Sequence, residues 1–210
     1  VNKMAQAVDA KQQAATVTAH QINIQVAKQL ANLVRSTLGP YGMDKEMVDA
    51  AGEVVMTNDG ATILKATKLG HPTAKIITEV ARTQEENCYD GTTSSVVITG
   101  ELMDKASGLL DKNIHPTRIA KGYVMANRKA QECLKEISIT VNDELLLAVA
   151  NTAMTGKSVE SEQDALAKIA LAVVKSTTLD NISIVKRPNG KVSESIAIAG
   201  LLIDREKMTH

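Results

Sequence analysis

The chain has 210 residues, 44% of them hydrophobic, with 24 Lys plus Arg balanced by 24 Asp plus Glu. Without a basic excess, and with Tyr41, Tyr89 and Tyr123 as its only aromatics, it has neither the electrostatic footprint nor the stacking platform of a nucleic-acid binder. No apolar run reaches the length of a membrane span, so no membrane partner is expected. Cys88 and Cys133 lie far apart and form no C-x-x-C, which points to a reducing compartment. The stretch Val1–Ala15 is polar and holds no apolar signal core. A soluble cytoplasmic protein is the expectation. With no Trp or Phe, the core falls to Ala, Val, Ile and Leu, with Met as soft filler.

In chain order, the apolar spacing predicts a helix over residues 12–37, with Ala15, Ile22, Val26, Ala27, Leu30, Leu33 and Val34 on one face. Gly39-Pro40 stops it. Two short extended pieces are expected at Glu46–Asp49 and Val54–Thr57, then an Asn58-Asp59-Gly60 turn. Helices follow over 61–68, 73–87, 92–110 and 118–136, with His71-Pro72 and His115-Pro116 marking the turns between them. The pattern changes after Ile137-Ser138-Ile139-Thr140. A short apolar helix is expected at Glu144–Met154. A second helix runs to Ser176 from a capping box of Ser161 and Asp164. The period then becomes two, at Ile182, Ile184 and Lys186. Pro188-Asn189-Gly190 reads as a hairpin turn, with Val192–Ala199 returning and Leu201–Ile203 adding a further strand. The fold class is therefore mainly α, followed by a small α+β part, with the boundary near residue 140.

The most informative stretch is Asp90-Gly91-Thr92-Thr93-Ser94-Ser95, followed at once by Val96-Val97-Ile98. It reads as a tight turn opening a buried helix. The first N–H groups of a helix have no partner inside it and can grip an anion. Glycine lets backbone approach that anion, and hydroxyls add donors without bulk. Asp90 would repel a phosphate but can hold a divalent cation that the phosphate shares. The plainer reading is an N-capped helix and nothing more, and this stretch alone slightly favours it. Gly156-Lys157-Ser158 invites a P-loop reading. It lacks the earlier glycine, because Asn151 stands there, and it follows a helix rather than a strand. His20, His71, His115 and His210 make no metal-ligand spacing. Three loops share one design: Leu38-Gly39-Pro40-Tyr41-Gly42, Asn58-Asp59-Gly60 and Asp90–Ser94. Each offers glycine backbone and two offer aspartate. Converging, they would supply N–H donors, a metal ligand and a carboxylate that positions water.

Five blocks in order resemble a known family: Thr37-Leu38-Gly39-Pro40 with Gly42-Met43-Asp44-Lys45, Thr57–Leu64, His71-Pro72 with Ala74-Lys75, Asp90-Gly91-Thr92-Thr93, and Asn113–Thr117. Together they look like the group II chaperonins, the thermosomes of archaea and the cytosolic chaperonins of eukaryotes. The resemblance runs from about Leu33 to His210. It implies that residues 1–140 are the first half of an equatorial ATP-binding domain and 141–205 the first half of an intermediate domain. Residues 206–210 would open an apical domain. It further implies that Leu38, Gly39, Pro40, Gly60, Gly91, Thr92, Thr93 and Ser94 bind ATP or ADP. By the same resemblance Asp90 is the magnesium ligand, Asp59 the carboxylate near the attacking water, and Lys157 the sensor of the terminal phosphate. The implied function is that of an ATP-dependent chaperone subunit in a double ring that encloses and folds non-native proteins. Its partners would be other chaperonin subunits and unfolded proteins.

Three departures from the family pattern stand out. Tyr41 replaces a usual lysine. Tyr89 replaces a usual glycine before Asp90, and a tyrosine resists positive φ, so the loop is expected to sit differently. Family members are also much longer, and the returning segment that carries a further water-activating aspartate is not in this sequence. The 210-residue chain alone is therefore expected to be inactive as an ATPase. Two accounts stand: part of a full chaperonin subunit, or a short chaperonin-like protein that binds nucleotide without folding anything. The first is preferred, because a half-domain leaves apolar helix faces without partners. A helical scaffold that uses no nucleotide is the reading from a different class.

Overall fold

A computed structural model describes residues 2–48, 52–67 and 70–202, with side chains from residue 19 onward. Expectations for Asp49, Lys68, Ile203, residues 206–210 and the side chain of Ala15 lie outside the described residues. The fold is mainly helical. Two compact units divide it, residues 1–138 and 139–210.

In the first unit, α1 spans Asn2–Arg35 and is followed by an antiparallel hairpin, β1 Lys45–Val48 with β2 Val54–Thr57. Four more helices follow: α2 Gly60–Ala66, α3 Pro72–Cys88, α4 Thr92–Leu110 and α5 Pro116–Ile137. Both His-Pro pairs start helices. Proline occupies the first helical position, where its missing N–H costs nothing. Each histidine caps through Nδ1, which accepts from the N–H of Thr73 (3.2 Å) and of Thr117 (3.3 Å).

The core lies where α1, α2, α3 and α4 meet, with Ala27, Leu30, Val34, Ile63, Leu64, Ile77, Ala81, Val96 and Val97 buried in one cluster. Ile63, Val34 and Val96 are its largest fully buried side chains, each contributing roughly 1.5–3 kcal/mol by leaving water. Small residues set the geometry in place of aromatics. A Cβ on Gly100 would stand 2.2 Å from the Cβ of Ala31, so α1 and α4 meet nearly backbone to backbone. Ala31 faces Gly100 and Lys28 pairs with Asp104 at 2.7 Å. Residue numbers that fall on one helix while rising on the other mean that the pair runs antiparallel. The loop after α1 therefore leaves at the same end of the pair where α4 begins. Ile22, placed by its spacing on the apolar face of α1, is exposed, and so is Ile76 on α3, where its apolar side chain would suit the interior.

The second unit holds α6 Asp143–Met154 and α7 Gln163–Ser176, with 3-10 turns at Glu160–Glu162, Leu179–Asn181 and Val192–Glu194. Asn142 caps α6 by accepting from the N–H of Leu145 at 2.9 Å. Two sequence expectations are corrected here. The Ser161–Asp164 capping box does not form: Glu162 is the N-cap of α7 without a side-chain bond. Asp164 instead accepts from Asn151 Nδ2 at 3.0 Å, so a longer-range amide displaced the local cap. The alternating stretch over 182–199 forms no strand among the described residues, although the Pro188-Asn189 turn is present with Asn189 at φ 66°. Ile184, Ile196 and Ile198 are mostly exposed. A strand needs a neighbour for its N–H and C=O groups, and alternation supplies the faces without the neighbour.

Candidate functional site

Two of the three glycine loops meet at the starts of α2 and α4. Asp59 is the N-cap of α2, with extended backbone. Its Oδ2 accepts from both the N–H and the hydroxyl of Thr62, at 2.8 and 2.7 Å. Its Oδ1 accepts from the hydroxyl of Thr92, the first residue of α4, at 3.1 Å. The carboxylate of one loop thus bonds the first turn of the other. Gly60 makes the approach possible: a Cβ there would lie 2.8 Å from Thr93 Oγ1, 3.1 Å from its Cα and 3.2 Å from its N. Burial pushes the Asp59 carboxyl up, but the Thr62 hydroxyl and N–H, then the Thr92 hydroxyl and the Ala61 N–H, outweigh it. The group is held below the ordinary aspartate value and stays ionised at neutral pH.

The α4 N-terminus is built to accept an acceptor. Gly91 stands at the N-cap in the left-handed region, φ 78°, and no side chain caps the helix. Ser95 is the first residue to bond back, to the carbonyl of Gly91 at 2.9 Å. Among the described residues, the N–H groups of Thr92, Thr93 and Ser94 therefore remain for an incoming oxygen. Thr92 and Thr93 are buried, and Ser94 is half-buried. Asp90 is exposed and its Oδ1 accepts from the N–H of Gly91 at 2.8 Å. No cluster of three His, Cys, Asp or Glu forms among the described residues. The exposed carboxylate of Asp90 is of the kind a magnesium ion could take, since that ion characteristically uses one or two carboxylates and completes its shell with phosphate oxygens and water.

Tyr89 corrects an expectation. It adopts φ 56°, ψ 6°, as the C-cap of α3, donating its N–H to the carbonyl of Glu85 at 2.9 Å. Tyr89 is 71% exposed, and it adopts the left-handed backbone that the sequence reading expected a tyrosine to resist. The strain is of order 1–2 kcal/mol. Gln84, which sequence reasoning did not single out, braces the same loop: its Nε2 donates to the carbonyl of Asp90 at 2.9 Å.

The third loop closes on itself. Gly42 donates its N–H to the carbonyl of Gly39 and Met43 to that of Ser36, both at 2.9 Å. Leu38, Gly39 and Pro40 are exposed and Tyr41 is almost wholly so. The antiparallel α1–α4 pairing puts this loop at the α4 N-terminal end of the pair, while the hydrogen bond that joins two of the loops among the described residues runs from Thr92 to Asp59. Lys157 is exposed in the second unit. It follows Gly156 at φ 74°, and its N–H donates to the carbonyl of Met154 at 3.2 Å.

The model of the TCP-1/cpn60 chaperonin family matches residues 30–210. The chain belongs to this family. It is 47% identical to a thermosome subunit of Pyrococcus horikoshii over 201 residues, covering 90% of this chain and 37% of that protein. It is 48% identical to a thermosome subunit beta of Thermococcus kodakarensis over 201 residues, with the same coverage. To a thermosome subunit of Methanopyrus kandleri it is 44% identical over 203 residues, covering 90% of this chain and 37% of that protein. These likenesses place it among the group II chaperonins. The chain spans a little over a third of the length of these relatives. No helix among the described residues is long and apolar enough to cross a membrane.

Proposed function

We propose that this chain is the nucleotide-holding first part of an ATP-dependent chaperonin subunit. Residues 1–140 act as the first half of an equatorial domain and 141–205 as the first half of an intermediate domain. The observation that carries the reading is the Asp59–Thr92 bond at 3.1 Å, which sets an ionised carboxylate beside the uncapped start of α4. That juxtaposition is more than an N-capped helix needs, because Asp59 already caps α2.

In this reading the N–H groups of Thr92, Thr93 and Ser94 and the hydroxyls beside them bind the phosphates of ATP or ADP. Gly91 and Gly60 keep Cβ atoms out of the way, and Leu38, Gly39 and Pro40 flank the nucleotide. Asp90 holds magnesium, which supplies charge neutralisation to the phosphates. Asp59 accepts a hydrogen bond from the attacking water and orients it. Lys157 answers to the terminal phosphate. Hydrolysis is then mostly positioning and electrostatics, and it drives closure of a double ring of such subunits around a non-native protein.

The test is asymmetric. In the complete subunit, Asp90→Ala should weaken magnesium-dependent nucleotide binding, and Asp59→Ala should leave binding intact while slowing turnover. A helical scaffold that uses no nucleotide would leave both variants indistinguishable from the parent. If Asp59→Ala hydrolysed ATP at the parent rate, the catalytic assignment would be wrong.

A further inference from the structure

The grip on Asp59 is lopsided. Oδ2 receives two donors from one residue, the N–H and the hydroxyl of Thr62 at 2.8 and 2.7 Å. Among the described residues Oδ1 receives one hydroxyl, from Thr92 at 3.1 Å, with the Ala61 N–H, the weakest of the donors that hold the carboxyl ionised, standing beside the group as well. A carboxylate oxygen has two lone-pair directions. Those of Oδ2 are taken, while Oδ1 keeps room for another donor, and that room lies beside the first residue of α4. The backbone N–H of Thr62 is enough to cap α2, as at any N-cap aspartate. Its hydroxyl is a second bond to the same oxygen, and it opposes the rotation that would exchange the two oxygens.

We propose that Thr62 is a positioning residue for ATP hydrolysis: through its hydroxyl on Oδ2 it fixes Asp59 so that the open lone pair of Oδ1 is presented at the α4 N-terminus, where the attacking water must sit. This rests on the proposed role of Asp59. Thr62 never touches nucleotide or water. Its effect on rate comes from holding the acceptor in one orientation, and small losses of alignment at such a group cost large factors in rate.

The hydroxyl can be removed without removing the cap. Thr62→Val keeps the branched shape and the backbone N–H, and Thr62→Ser keeps the hydroxyl. In the assembled complete subunit, Thr62→Val is expected to lower kcat for ATP hydrolysis about tenfold, as loss of one charge-assisted hydrogen bond would, with KM for ATP within about twofold of the parent. Thr62→Ser should recover most of kcat. Thr62→Ala, which also retains the backbone cap, is a second hydroxyl-free variant with the same expected result should the valine variant fail to assemble. Asp59→Asn is run beside them. If Asp59→Asn is slow and the hydroxyl-free variants turn over at the parent rate, even with a lowered melting temperature, Thr62 is merely structural and the inference is overturned. If Asp59→Asn itself turns over at the parent rate, the role given to Asp59 fails, and the inference built on it fails with it.

Discussion

Replacing Gly60 by alanine tests the contact on which the site is built. The new Cβ would stand 2.8 Å from the Thr93 hydroxyl oxygen, 3.1 Å from its Cα and 3.2 Å from its N. Comfortable carbon contacts begin at about 3.5 Å. The hydroxyl can swing aside, but the Cα and N are backbone, so the first turn of α4 must withdraw by several tenths of an ångström. Overpacking of this kind costs roughly 1–3 kcal/mol. The withdrawal also stretches the Asp59–Thr92 bond, now 3.1 Å. A hydrogen bond to a charged group contributes about 1.5–3 kcal/mol, and solvent at this half-exposed carboxylate replaces part of it. Alanine gains at most about 1 kcal/mol over glycine in a helix, and less at a first position. The net is a destabilisation of about 2 kcal/mol. With a urea slope of roughly 1–3 kcal/mol per molar, the midpoint should fall by about 1 M. Far-UV circular dichroism is the probe, because the chain has no Trp. An unchanged or raised midpoint would mean that the two helix starts do not touch, and the argument for a joint site would lose its footing.

Tyr89→Gly should stabilise the chain by about 0.5–1 kcal/mol: it releases a left-handed strain of order 1–2 kcal/mol and gives part back to unfolded-state entropy. With the ring 71% exposed, little packing is lost, and a drop in melting temperature would show that the ring is held. The pH dependence of the Asp59 contribution has a definite sign. Its folded value lies below the unfolded 3.8, so the stability it brings is whole above that value and is lost as pH falls through the folded value. The stability gap between the parent and Asp59→Asn should therefore be constant from neutral pH down to about pH 5 and shrink below pH 4. A gap that widens on acidification would show that the carboxylate is not held ionised by its neighbours.

Local chemistry made most of the fold readable. His71-Pro72 and His115-Pro116, read from the sequence as turns, are in fact helix starts, because proline fits the first position and the preceding side chain accepts from two residues on, a rule that needs no tertiary information. The Asp90–Ser94 stretch likewise announced a helix opening from residue types alone. What the sequence hid depends on other elements. No spacing says that Gly60 lies on Thr93 or that Thr92 reaches Asp59; both need α2 and α4 brought together over a shared core, whereas the Thr62 and Gln84 bonds are local ones that residue types alone leave open. The strands read at 182–199 failed for the same reason in reverse. Their alternation is real, but pairing is decided by a neighbour that the pattern does not contain. Tyr89 shows a third case, in which a conformational preference of 1–2 kcal/mol yields to a helix C-cap that demands the left-handed region.

The central claim is that the uncapped start of α4 and Asp90 hold a magnesium–nucleotide pair. It is tested most directly by calorimetric titration of ATP into the complete subunit, with and without magnesium, the parent beside Asp90→Ala. The account predicts binding that requires magnesium in the parent and weakens by at least tenfold in the variant, while Asp59→Ala binds as the parent does. ATP binding that is indifferent to both magnesium and Asp90, or no binding at all by the complete subunit, would contradict it.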